Sequence, residues 1–144
     1  MIKKIEAIVR EEKLNDVKDA LRKIGIIGMN VTKVRGHGRG GGIVLAGRTG
    51  TFQVDLLPKI QINIVLSEHN VEKTVETICQ AAHSGRNGDG MIFVYPVEDV
   101  IRIRTGERGR QALMYPGDID EQREGGNGSA AVELEPIDAR ANCG

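Results

Sequence analysis

The chain has 144 residues, 40% of them hydrophobic and 28% charged, with 20 basic and 20 acidic side chains and a formal net charge of zero. That length suits one domain with a real core, and the 3% aromatic content makes that core aliphatic. Neutrality argues against a nucleic-acid binder driven by bulk charge. No apolar run approaches the ~20 residues of a membrane span, and MIKKIEAIVREEK lacks the apolar core of a signal peptide. The expectation is therefore a soluble, cytoplasmic protein. Cys79 and Cys143 form neither a disulfide framework nor a metal cluster. Cys79 reads as a small buried hydrophobe and Cys143 as an unpaired tail thiol.

Residues 2–9 alternate apolar and polar, with Ile5, Ala7 and Val9 on one parity, and predict a strand. Asn15 reads as the N-cap of a helix whose apolar face is Val17, Ala20, Leu21 and Ile24, and Gly25 ends it. Residues 29–35 predict a second strand rich in β-branched side chains. The stretch GHGRGGGIVLAGRTGTFQ follows, residues 36–53, with seven glycines. It has no helical period and reads as a long insert without regular structure. Loops longer than ~12–15 residues are uncommon in compact domains and are usually functional or disordered.

In IQINIVL, Ile60, Ile62, Ile64 and Leu66 share one parity and predict a strand with one buried face. Asn70 reads as the cap of a second helix with apolar face Val71, Val75, Ile78, Cys79 and Ala82. Residues 91–97 predict another strand, and residues 100–104 continue extended. The order strand–helix–strand, loop, strand–helix–strand predicts an α+β fold: a ferredoxin-like βαββαβ sandwich, an antiparallel sheet with both helices on one face. Ile8, Val65 and Val94 look too apolar for a solvated second face, which predicts its cover by oligomerisation. Residues 110–144 hold three arginines against seven carboxylates, net −4. Their turn-rich composition predicts an acidic extension, mobile or loosely docked.

Three segments suggest anion chemistry. In SGRNGDG, residues 84–90, Gly88 and Gly90 let backbone amides approach a ligand, and Asp89 could accept from a ribose or base. A common Asp-Gly turn explains the same residues about equally well. Arg102 and Arg104 share a strand parity, so two guanidinium forks would project to one side and suit a polyphosphate. A charged strand edge is the bland alternative. In the insert, His37 and Arg39 lie among glycines, with Lys59 at the exit, which again suits phosphate or carboxylate. His37, His69 and His83 have no ligand spacing.

Together these segments resemble the nitrogen-regulatory PII family, from residue 1 to about residue 109. MIKKIEAIVR resembles its first strand, VTKVRGHGR the entry to its T-loop, VDLLPK the T-loop exit, SGRNGDGMIFV the B-loop and VEDVIRIRTGERG the C-loop. The resemblance implies a PII-like domain over residues 1–109 with a T-loop at about 36–56. It implies a homotrimer in which ATP and ADP compete for clefts between subunits. It further implies 2-oxoglutarate bound beside ATP through Mg²⁺, and a T-loop that docks on a partner such as an ammonium transporter. Such proteins are sensors, not enzymes.

Carried over residue by residue, the resemblance assigns nucleotide binding to Asn30, Gly38, Arg39, Gly40, Val65, Gly88, Asp89, Gly90, Met91, Arg102 and Arg104. It assigns effector binding to Gly38, Arg39, Gly40 and Lys59, and partner binding to Arg48 and Phe52. Four departures stand out. Gly40 replaces the glutamine that contacts Mg²⁺ and 2-oxoglutarate, so effector binding should be weaker or different. Met91 replaces a lysine, Asn30 a threonine, and Phe52 the tyrosine that carries uridylylation in many members. Two other readings compete: an RNA-binding βαββαβ module using Phe93 and Tyr95, and a phosphotransfer enzyme using His37 as nucleophile.

Overall fold

The computed structural model describes residues 1–38 and 43–124. Arg39, Gly40, Gly41 and Gly42 and residues 125–144, Cys143 among them, lie outside the described residues. Strand β1 (Ile2–Arg10) leads into helix α1 (Leu14–Lys23), then strand β2 (Asn30–Gly36). Strands β3 (Ile43–Gly47) and β4 (Gly50–Val54) precede the long strand β5 (Leu57–Ser67), helix α2 (Val71–Ala82) and strand β6 (Gly90–Val97). Short helices α3 (Arg110–Leu113) and α4 (Ile119–Glu124) close the described chain. The main sheet has the order β2-β5-β1-β6 with every pair antiparallel, the ferredoxin-like arrangement.

Period-two alternation decides the two faces. Ile5, Ala7, Val9, Ile60, Ile62, Ile64 and Leu66 are all buried. Ile5 pairs with Ile64, Ala7 with Ile62 and Val9 with Ile60 across the β1–β5 ladder, and with Leu66 they meet Val17 and Leu21 of α1 and Val71, Ile78 and Ala82 of α2 in one core. On the opposite face Val65, Phe93 and Tyr95 are exposed. Val94 does not belong to that open face. It pairs with Ile5 and shares the helix side, where its edge strand leaves it 47% exposed.

Several local expectations are corrected. Asn15 lies inside α1, which is preceded by a 3₁₀ turn over Glu11–Lys13 and has no side-chain cap. Asn70 precedes α2 without capping it; its side chain turns to Asp120, 2.6 Å away. Cys79 is exposed, and Thr74 takes the buried place, its hydroxyl donating to the Asn70 carbonyl at 2.8 Å. The glycine-rich insert is not without regular structure. β3 and β4 pair as a hairpin with Gly47 opposite Gly50, turning through Arg48 and Thr49.

Residues 100–104 do not extend a strand. The Arg102 amide donates to the Glu107 carbonyl at 2.9 Å and the Gly106 amide to Arg102 at 2.7 Å, so residues 101–108 close a tight turn. The shared strand parity expected of Arg102 and Arg104 therefore does not exist. Nor are residues 110–124 a loosely docked start to the extension. Ile119 joins the core, and Asp120, 3% exposed, accepts the Ser67 amide on both oxygens at 3.2 Å. Asp118 caps α4 by accepting the Glu121 amide at 2.8 Å, while the Glu121 carboxylate accepts the Gly117 amide, a variant of the reciprocal capping box. Burial pushes the Asp118 carboxyl above its ordinary range, and the backbone amides of Glu121 and Tyr115 oppose that.

Candidate functional site

The candidate residues fall into two groups. Val65 pairs with Lys4 and Lys59 with Arg10 on the same β1–β5 ladder. Six residue steps along the strand separate the two levels, about 20 Å at the usual rise.

The first group surrounds the turn between α2 and β6. Gly85, Gly88 and Gly90 all have positive φ, at 82°, 96° and 109°. The Asp89 carboxylate is the hub of this turn. It accepts the Ser84 and Gly85 amides, each at 2.9 Å, the Ser84 hydroxyl, and Arg10 Nε at 3.1 Å. The Ser84 hydroxyl contributes most to holding the carboxyl far below its ordinary range, followed by the Ser84 amide, with Arg10 and Gly85 adding less. The Asp89 oxygens, read in the sequence as acceptors for a ribose or base, here shape the turn. Gly90 is fixed by its neighbour, since a Cβ there would lie 1.7 Å from the Ile8 carbonyl oxygen.

Two cations flank the same turn. Arg10 Nη2 donates to the Asn87 carbonyl and Lys59 Nζ to the Gly88 carbonyl, both at 2.5 Å. Burial, and then the neighbouring Arg10 charge, lower the Lys59 pKa from 10.5. Glu12 and Asp89, the latter ion-paired with Arg10 at 3.1 Å, partly offset these charges. Arg10 escaped the sequence reading because its importance arises from the Arg10–Lys59 pairing. The only signal in the sequence is its place at the end of the first strand. Met91 is exposed at the start of β6. Gly38 has open space around its Cα, and Arg39 and Gly40 lie outside the described residues.

The second group lines a cleft of about 690 Å³ that includes Asn30, Asn63, Val65 and Arg102. Asn63, opposite Asn30 on β5, adds an amide that sequence reasoning missed. Arg102 donates through Nη2 to the Ala112 and Met114 carbonyls at 3.1 and 3.0 Å. Arg104 is exposed on the 101–108 turn.

At the hairpin, Arg48 sits at the exposed tip, and Phe52 lies opposite Leu45, 56% exposed, with its ring across Gly47. His37 Nδ1 lies 3.3 Å from the Asp55 carbonyl, tying the hairpin's two stems. Phe93 and Tyr95 occupy the open sheet face, where the Tyr95 hydroxyl donates to Glu6 at 3.1 Å and Lys4 lies over the ring. Among the described residues no group of three or more His, Cys, Asp or Glu side chains could hold a metal ion. No described helix is long and apolar enough to cross a membrane.

Comparison with known proteins agrees with this architecture. Residues 2–107 match the family model described as nitrogen regulatory protein P-II. The chain is 51% identical over 112 residues to a nitrogen regulatory protein P-II of Azospirillum brasilense, covering 78% of this chain and all of that relative. It is 53% identical over 112 residues to nitrogen regulatory protein P-II 1 of Methanothermobacter thermautotrophicus, covering 97% of that protein. Among solved structures, Arabidopsis thaliana PII bound to citrate superposes with a TM-score of 0.64 at 42% identity, over 77% of this chain and 91% of that one.

Proposed function

The chain belongs to the nitrogen regulatory P-II family, a family of signal-transduction regulators, and from that premise we propose that it senses adenine nucleotides and passes their state to a partner protein through the hairpin at residues 36–56. ATP and ADP are the ligands of this reading, and three copies of the chain form the working unit.

The separation of the two groups of candidate residues carries the proposal. One end of the sheet offers glycine-flanked amides with Arg10 and Lys59, chemistry suited to phosphate. The other end offers a cleft with Asn30, Asn63 and Val65, suited to a planar base held by a few polar groups. The two levels lie about 20 Å apart along the strand of one protomer, so one nucleotide would reach both only when fully extended. The two half-sites make one site if the phosphate end of one protomer faces the cleft of the next, as in a closed ring. The exposed apolar side chains Val65 and Phe93 on the open sheet face suit such an assembly.

Signalling then works by differential affinity. ATP and ADP select different conformations of the segment between β2 and β5, and that difference alone moves its population. The hairpin presents Arg48 at its tip and apolar Ile43, Leu45 and Phe52 along one side, a surface for a protein such as an ammonium transporter. Phe52 has no hydroxyl, so nucleotidylation at that position is closed. An effector such as 2-oxoglutarate with Mg²⁺ would meet Lys59 but no glutamine side chain at Gly40, which predicts weak effector binding. The protein acts as a regulator in the cytoplasm and turns over no substrate.

Light scattering with titration calorimetry tests this. A particle of three 15.6 kDa chains binding ATP and ADP competitively is expected. A monomer, or no heat with either nucleotide, removes the reading.

A further inference from the structure

Residues 112–115 run along the cleft that holds Asn30, Val65 and Arg102, and they occupy the arginine. Both Nη2 bonds of Arg102 go to carbonyls of this segment, Ala112 at 3.1 Å and Met114 at 3.0 Å. Nη1 lies 3.7 Å from the Glu107 carboxylate. The Tyr115 ring sits over the same guanidinium, 5.5 Å from its centroid. The ring also abuts the chain at Gly28, where a Cβ would come within 3.3 Å of it.

This hold has a fixed base. Ile119 is part of the core, its amide donates to the Gly25 carbonyl at 2.9 Å, and Asp120 is locked between Ser67 and Asn70. Asp118 and Asp120 line the same cleft. Met114 and Tyr115 lie beyond residues 2–107, the part that matches the family model.

We infer that residues 112–115 are an internal competitor for the phosphates of a nucleotide shared between this cleft and the facing phosphate end of the next protomer, holding Arg102 until a phosphate displaces the Ala112 and Met114 carbonyls. The inference rests on the nucleotide reading above and adds a determinant of affinity that belongs to the extension. The exchange is reversible in principle. A guanidinium bonds an anionic phosphate oxygen more strongly than a neutral carbonyl, so the phosphate can win at a cost set by the arm. A ligand without phosphates makes no claim on Arg102 and does not meet the competitor.

The test compares the full chain, a chain ending at Leu113 and the Tyr115→Ala variant, each titrated calorimetrically with ATP and with adenosine. Ending the chain at Leu113 removes the Met114 carbonyl and Tyr115, and ATP should bind about tenfold more tightly. Tyr115→Ala keeps the Ile119 and Asp120 anchor and should tighten ATP about threefold, the worth of an exposed cation–π contact. Adenosine affinity should be the same for all three. Circular dichroism establishes whether the shortened chain folds; if it does not, Tyr115→Ala decides alone. Unchanged or weaker ATP binding by Tyr115→Ala overturns the inference while leaving the nucleotide site standing. Equal tightening of ATP and adenosine also overturns it, by making the arm a steric wall. Absence of ATP binding by every chain overturns the nucleotide reading and the competitor together.

Discussion

Gly38, Gly88 and Gly90 look alike in the sequence, but the structure assigns them different costs on substitution by alanine. At Gly90 a Cβ would stand 1.7 Å from the Ile8 carbonyl oxygen and 2.8 Å from its carbon, with φ at +109°. Both obstacles are backbone, and Gly90 opens β6 opposite Val9. Relief requires pulling the start of β6 away from β1. At Gly88 the obstacles are Arg10 Nη2 at 3.2 Å and Lys59 Nζ at 3.3 Å, the movable ends of long side chains. There the main cost is the φ of +96°. At Gly38 no atom of the described residues lies within 4 Å of the added Cβ. A non-glycine residue held at positive φ costs about 1–3 kcal/mol. Gly90→Ala adds the clash and should lose at least 3 kcal/mol, roughly the upper end of that range. Gly88→Ala should lose about 1 kcal/mol, and Gly38→Ala no more than about 0.5 kcal/mol, as at an ordinary surface position. For a domain of this size these values correspond to melting-temperature drops of roughly 10, 3 and under 2 °C. Thermal unfolding by circular dichroism, with urea titration as a check, reads the series. If Gly90→Ala melts within about 2 °C of the parent chain, close backbone approach is not why glycine stands there.

Three further outcomes follow from the same geometry. Asp120→Ala removes the acceptor of the Ser67 amide and of Asn70 Nδ2 and should cost about 2 kcal/mol in urea unfolding; a loss below ~0.5 kcal/mol would mean that the arm is not anchored there. Asp89→Ala should speed amide hydrogen exchange at Ser84 and Gly85 by about tenfold, because both amides lose their acceptor; unchanged protection would show that the turn is held by other means. Lys59 has its pKa lowered by burial and then by Arg10. The fold therefore disfavours its charged form, and stability contributed by this group rises as pH climbs toward the unfolded value of 10.5. A bound phosphate reverses the shift, so ATP binding at alkaline pH should take up protons and weaken as pH rises through the Lys59 titration. Calorimetry in buffers of different ionisation enthalpy at about pH 9 reads this directly, and zero proton uptake would separate Lys59 from the ligand.

Where alternation and helical period are strong, the fold was legible in the sequence. Ile60, Ile62, Ile64 and Leu66 announced β5, and Val17 with Leu21 announced the buried side of α1. The glycine-rich insert hides its hairpin because its apolar run is short and, among the described residues, its strands pair with each other alone. Tertiary contacts hid the rest. Asn70 resembles a helix cap until Asp120 arrives from 50 residues away. Arg102 and Arg104 resemble a strand pair until Glu107 and Gly106 fold the segment back. The role of Arg10 depends on a register that no local pattern encodes. At the candidate site the residue types were readable, but their division into two groups required the sheet.

The most direct test of the central claim is complementation between two damaged chains. Lys59→Ala removes a cation from the phosphate end, and Arg102→Ala damages the cleft end. Each variant alone should bind ATP weakly. Co-refolded in equal amounts, they should regain about a quarter of the parent's tight sites, the share of interfaces in which both facing halves are intact after random mixing. No recovery of tight sites in verified mixed oligomers would contradict the account, because the two residues would then have to serve one ligand within a single protomer or serve no common ligand.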